Sequence, residues 1–473
     1  MTSTHCGDGP HMPNLEVPER LLTTPLPKPL FPRTAIQYQD TSIPNTDRLV
    51  GAMEWSRHDV MVHNIDFLIS DYEATPSGQE TSPKSLKRLN PGMKIYCYFS
   101  PVDYPSYFSE SMIKLKGGFD PDWFVKSITT RQPVVLYTNP STGSQTFLMN
   151  LSKLGLRRRL LEIFRHPALS RDNLIDGIFL DWASSIGWLN TAVDGLGNPR
   201  APGGLDFFDN RIPASEAVID AAYREAWNEL ADSIRSELQL GVTGNGGWDS
   251  TRDFRVEGFM IEEFMAAGAA PGAWGSWSSI MQCYAYYARD SQLYPASFIM
   301  QTTAETPPAD SEVKRARRFA VASALMFDGA VCLNSFISGS YYNSFWIDEL
   351  GVDELGFASK SLAHRRWLGR PLSDAYAVAT TPAGGMPAGT KLSEAVQPLT
   401  TLAAVEATLW RRDFEGGSVL VLPHSAAMTI SSGLSGLKYI NGLTDAAVNT
   451  GAAVPMPLTM QPKTGLCLFR PLT

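Results

Sequence analysis

The chain lacks any apolar run approaching the roughly 18–20 residues that cross a bilayer, so no membrane partner is expected. Cysteine is scarce. Cys6, Cys97, Cys283, Cys332 and Cys467 are odd in number, far apart and free of any CxxC pair. That excludes a disulfide framework and fits a reducing compartment. The seven histidines form no HxH or HExxH spacing, so no metal centre is expected. Basic charge is also in short supply. Lys and Arg number 40 against 48 acids, for a net charge of −8, and only Arg157-Arg158-Arg159 clusters. A phosphate-backbone binder needs the opposite sign, so nucleic acid is not an expected partner. There is no G-x-S-x-G elbow, and the glycine-rich Gly241–Gly247 lacks the Lys-Ser/Thr of a phosphate loop. No cofactor is expected. The N-terminus carries neither a basic stretch nor an apolar one, so the default expectation is a cytoplasmic protein, with virion association as the alternative.

What is present is ample core material: 44% hydrophobic against 19% charged residues in 473. Residues 1–33 are proline-rich and aperiodic, an extended arm suited to docking a second copy or a larger assembly. Strand-length apolar runs follow at Thr34–Gln39, Ile65–Ser70, Lys94–Phe99, Gly177–Trp182, Leu240–Asn245, Gly258–Glu262, Ser297–Thr302 and Gly329–Asn334. Most are continuous rather than alternating, as in parallel strands covered by helices. Helical spacing falls between several of them, at Ala214–Leu238, Trp277–Arg289 and Glu312–Phe327. Eight such strands predict a (β/α)8 TIM barrel over 34–379. A hairpin is predicted from Pro133–Thr138 and Thr146–Asn150. A linker over 380–404 then leads to a small all-β domain, read as a β-sandwich, over 405–473, with Gly416-Gly417 as a tight turn.

The sharpest feature is an internal echo. Asp176–Asp181 (DGIFLD) and Glu257–Glu262 (EGFMIE) both read acid, glycine, three apolar residues, acid. The second acid of each falls at the C-terminal end of a strand, the fourth and sixth by count, where a barrel keeps its site. A lone acid there is most simply a helix cap. Two in matching frames on nearby strands favour chemistry, because cleaving a glycosidic bond requires one carboxylic acid and one carboxylate. Asp181 and Glu262 are therefore the expected catalytic pair. Other strand ends offer Asp71, Tyr98, Asn245, Gln301 and Asn334 for reading hydroxyls. Trp182 and Trp248 could stack on a sugar face, and Glu263 adjoins the pair. The expected ligand is a carbohydrate.

These residues resemble a group of TIM-barrel glycoside hydrolases of undefined specificity. The group is related in fold to the polygalactosaminidase-like barrels and ends in a small β-sandwich. DGIFLD, Glu257–Phe264 (EGFMIEEF), Asp348–Leu372 and Trp410–Leu422 (WRRDFEGGSVLVL) carry the resemblance, which extends loosely over residues 60–473. It implies a glycosidase with Asp181 as nucleophile and Glu262 as acid/base. The doubled Glu262-Glu263 departs from the group's pattern, in which one acid precedes a polar residue and an aromatic. The alternative is a non-catalytic carbohydrate-binding or structural barrel, such as a component of a viral tail, which the proline-rich arm suggests.

Overall fold

The computed structural model describes residues 29–38, 53–75, 81–105, 120–138, 145–170, 174–193, 199–245, 254–262, 276–288, 296–303, 310–337, 340–342 and 346–471. Eight parallel strands close into a barrel: β1 (Thr34–Tyr38), β2 (Val60–Asn64), β3 (Lys94–Phe99), β4 (Gly177–Leu180), β5 (Gly241–Asn245), β6 (Phe259–Ile261), β7 (Phe298–Thr303) and β8 (Ala330–Ile337). Closure is made by β1 on β8, with Thr34 opposite Val331 and Ala35 opposite Cys332. A short antiparallel strand, Ser340–Tyr342, extends β8.

Side chains alternate along each strand. Inward ones form an interior cluster of Ala35, Val60, Val62, Tyr96, Phe179, Met260, Phe298, Met300, Ala330 and Cys332. Outward ones, such as Ile36, Ile95, Ile178, Val242 and Ile299, join the larger core beneath the helices. Those helices are α1 (Ile65–Ala74), α2 (Ser82–Leu89), α3 (Leu154–Phe164), α4 (Glu216–Leu238), α5 (Trp277–Ala288) and α6 (Asp310–Ala324). In α4, Ser215 caps the first turn by accepting from the Val218 amide, and Gln239 ends the helix at φ 59°. Ile219, Tyr223, Ala226, Trp227, Leu230 and Ile234 face the barrel at helical spacing.

One strand differs from the sequence reading. Ile65–Ser70 is helical, and the second strand is Val60–Asn64 just before it. The Asn64 side chain accepts from the Asp66 amide and starts α1. Ile65, Leu68 and Ile69 then fall on one buried face of the helix. The predicted hairpin is present, Val135–Thr138 pairing antiparallel with Gln145–Leu148.

Beyond the barrel lies a separate five-stranded antiparallel sheet. Its strands are β9 (Tyr376–Ala377), β10 (Trp410–Phe414), β11 (Gly417–Leu422), β13 (Lys438–Tyr439) and β15 (Thr464–Phe469), with β11 between β10 and β15. A two-stranded ribbon joins β12 (Met428–Ile430) to β14 (Leu458–Met460). One face of the sheet, with Trp410, Phe414, Val419 and Val421, belongs to the barrel's outer core. The other, with Leu420, Leu422 and Leu468, packs with the ribbon's Met428, Ile430, Leu458 and Met460. Among the described residues no helix is long and apolar enough to cross a membrane.

Candidate active site

The two echoed motifs place their first acids at the barrel's floor and their second acids at its mouth. Asp176 is neutralised at the floor by Lys87 at 2.5 Å and Lys94 at 2.9 Å, and it accepts from the Ile95 amide. Glu257 pairs there with Arg235 at 3.0 Å. These two acids are structural. Gly177 is required by the same geometry, since a Cβ there would stand 2.6 Å from the inward Tyr96 ring and 2.8 Å from the Gly241 carbonyl carbon.

Asp181 follows β4 directly, and its amide continues the ladder by donating to the Phe99 carbonyl at 3.0 Å. Two steps beyond Phe179, it faces the barrel interior. Three donors converge on its half-buried carboxylate. The Tyr98 hydroxyl donates to Oδ2 at 2.6 Å, while the Trp182 amide at 2.8 Å and Asn245 Nδ2 at 3.1 Å reach Oδ1. The Trp182 amide can do so because Trp182 adopts φ 61°, in the left-handed region. That turn is held by the Tyr223 hydroxyl, which donates to the Trp182 carbonyl at 2.6 Å.

Asn245 is the hinge of the arrangement. The same Nδ2 that reaches Asp181 donates to Glu262 Oε2 at 2.9 Å. Both oxygens lie within hydrogen-bond reach of one nitrogen, so they stand no more than about 6 Å apart. Burial pushes the Asp181 carboxyl above its ordinary range, against the pull of its three donors. Burial and the adjacent Asp181 charge push the Tyr98 phenol well up, so it remains a donor.

The sequence-predicted residues divide. Asp181, Glu262, Tyr98 and Asn245 meet in one hydrogen-bonded cluster. Trp182 adjoins it, half-buried against the outer core. Asn334 faces the barrel interior from β8, donating to Met300 Sδ at 3.4 Å. Asp71 is a correction. It lies in α1, not at a strand end, and its carboxylate accepts the Ser82 amide at 2.7 Å and hydroxyl at 3.0 Å, capping α2. Gln301 is another. It shares the face of Ile299 and pairs in register with Leu333, so it is buried towards the helices. Trp248 and Glu263 lie outside the described residues. Sequence reasoning missed Tyr223, which on α4 reads as one more core aromatic.

A family profile described as hypothetical glycosyl hydrolase family 15 matches residues 87–418. The chain belongs to that family. Membership assigns it to the glycoside hydrolases at the level of reaction class, and the matched span contains both acids of the cluster. No curated protein matches the chain. Among solved structures, the glycoside hydrolase domain of PelA from Pseudomonas aeruginosa is 15% identical. The match covers 65% of this chain and 95% of that one, at a TM-score of 0.36. A GH31 dextranase from Flavobacterium johnsoniae complexed with glucose is 11% identical over 93% of this chain, at 0.45. The chain spans about half of that enzyme, 51%. A family 39 glycoside hydrolase from Bacteroides cellulosilyticus WH2 is 8% identical over 92% of this chain and 80% of that one, at 0.40. No residue role passes from these structures to this chain.

Proposed function

We propose that the protein hydrolyses a glycosidic bond of an oligo- or polysaccharide with retention of anomeric configuration. Asp181 is the nucleophile and Glu262 the acid/base. The observation that carries this reading is the single Asn245 amide spanning both carboxylates. It supports a spacing too short for a water between acid and base, which an inverting enzyme needs. The roles follow from the donors. Donation from Tyr98, Trp182 and Asn245 favours the charged form of Asp181 against its burial, and Oδ2, with one donor, keeps a lone pair for attack.

In the first step Glu262 gives its proton to the leaving oxygen while Asp181 Oδ2 bonds to the anomeric carbon. In the second, Glu262 takes a proton from water, and that water displaces Asp181 from the same face. Proton NMR of the first-formed product tests the reading: its anomer should match that of the bond cleaved, and the opposite anomer would refute retention. On the same glycan panel, Asp181→Asn and Glu262→Gln should each lower turnover by about 10³-fold or more. The assembly reading has less support here, because residues 1–28 of the arm lie outside the described residues.

A further inference from the structure

Gln37 on β1 and Asn334 on β8 stand on the two strands whose pairing closes the barrel. Each lies two residues beyond the paired Ala35 and Cys332, so the two are neighbours in register. Ala35 and Cys332 belong to the interior cluster, which sets Gln37 and Asn334 on the same inward face, nearer the mouth. Both side chains are 1% exposed. Among the described residues neither Nε2 nor Oε1 of Gln37 has a hydrogen-bond partner, and neither does Oδ1 of Asn334. The Asn334 amide nitrogen reaches, among the described residues, the thioether of Met300, a weak acceptor. Buried amides left incomplete in this way are a standing cost to a fold and call for an explanation.

Their place supplies one. In a ring of eight strands, β8 and β1 stand across from β4 and β5, which carry Asp181 and Asn245. The barrel mouth therefore sets its carboxylates on one side of the ring and these amides on the other. An amide presents a donor and an acceptor a short distance apart, which suits two neighbouring hydroxyls of one sugar ring. It carries no charge, and so matches a neutral ring better than a uronate. We propose that Gln37 and Asn334 form a hydroxyl-reading subsite for a neutral hexopyranose in the barrel mouth, opposite the carboxylate pair. This inference rests on reading that hollow as a glycosidase site.

The test uses the full chain and Gln37→Leu and Asn334→Leu variants, which keep volume while removing the amides. The probes are the α- and β-methyl glycosides of glucose, galactose, mannose, N-acetylglucosamine and N-acetylgalactosamine. Saturation-transfer NMR finds which of them bind, and calorimetry measures the affinity. At least one probe should bind, and each variant should weaken it about tenfold or more. The melting temperature should be unchanged or higher, since no internal hydrogen bond is lost. Unchanged affinity in both variants would overturn the subsite, as would no probe binding the unmodified chain. A melting temperature several degrees lower with binding intact would make the amides structural instead. Glycan turnover separates the two levels of inference. If Asp181→Asn abolishes it while both leucine variants retain normal kcat and KM, only the subsite fails. If Asp181→Asn retains it, the glycosidase assignment of the hollow fails first.

Discussion

Asp181 is pulled in two directions: burial favours its neutral form, and the three donors favour its charge. The net direction is upward, and the sign of the consequence follows. A carboxyl whose folded pKa exceeds its unfolded one binds its proton more tightly in the native state. Keeping it ionised at neutral pH then costs stability, a cost that is absent below the unfolded pKa and complete above the folded one. Asp181→Asn should therefore melt no lower than the unmodified protein at pH 7, and higher if the carboxylate is strained there. Scanning calorimetry checks this, and a clear drop would contradict it. In the unmodified enzyme kcat/KM should fall as pH drops through the raised Asp181 pKa, so the acid limb should lie above the ordinary aspartate range. Tyr223 touches no reacting atom and acts as a positioning residue through the Trp182 turn. Tyr223→Phe should lower kcat roughly tenfold with little change in KM, at a cost of about 1 kcal/mol in stability. The acids were legible because a five-step echo repeats them at two strand ends. Tyr223 was not, since helical spacing marks a core aromatic and a positioning hydroxyl identically.

At the level of elements, continuous apolar runs located seven barrel strands, because a strand covered on both faces has no polar alternation to obscure it. The second strand was displaced for a local reason. Val60–Asn64 and Ile65–Ala74 follow one another with no glycine or proline between them, and only the Asn64 cap divides strand from helix. Asp71 was carried into the helix by that error, and Gln301 was misassigned by strand parity, which a one-residue choice reverses. Close approaches were equally hidden from pattern. Gly465 of β15 lies against α6, where an added Cβ would collide with Ala322 and stand 2.8 Å from the Arg318 carbonyl oxygen. Gly465→Val should overpack this contact and destabilise the protein by about 1–3 kcal/mol, as read from a urea midpoint shift at constant m.

Over the whole molecule, two buried groups set how the parts respond together. His63 is buried on β2 and stacked on Phe67 at 4.0 Å. Burial lowers its pKa to about 3. A histidine lowered in this way leaves stability unaffected above its unfolded pKa near 6.5 and removes it as pH falls towards the folded value. Between pH 7 and pH 5 the loss should reach about 2 kcal/mol, and urea titrations of His63→Leu should show that component gone. Arg412 of β10 joins the sheet to the barrel. It donates to the Leu325 and Phe327 carbonyls at 3.1 and 2.6 Å and to Asp328 at 2.6 Å, lying over the Phe31 and Phe414 rings. Arg412→Ala would remove the charge beside the half-buried Asp328 carboxylate and leave the two buried carbonyls without this donor. A destabilisation of about 3–5 kcal/mol in one cooperative transition is expected, and two separate transitions in calorimetry would argue against coupling.

Phe31 is clasped by segments that follow the barrel in the chain. Its amide donates to the Gly369 carbonyl, its carbonyl accepts from the Leu368 amide, and its ring lies 5.5 Å from that of Phe414. Three residues later β1 begins, and β1 is the stave that seals the barrel against β8. During synthesis, therefore, the first stave emerges long before the segments that seat it, and its open edge must wait unguarded until β8, ending at Ile337, has left the ribosome. A polypeptide stopped at residue 379 would hold all eight staves and the Leu368 and Gly369 hydrogen bonds to Phe31 yet lack Phe414 and Arg412 against its ring, and should sediment as aggregate instead of yielding a smaller working cylinder.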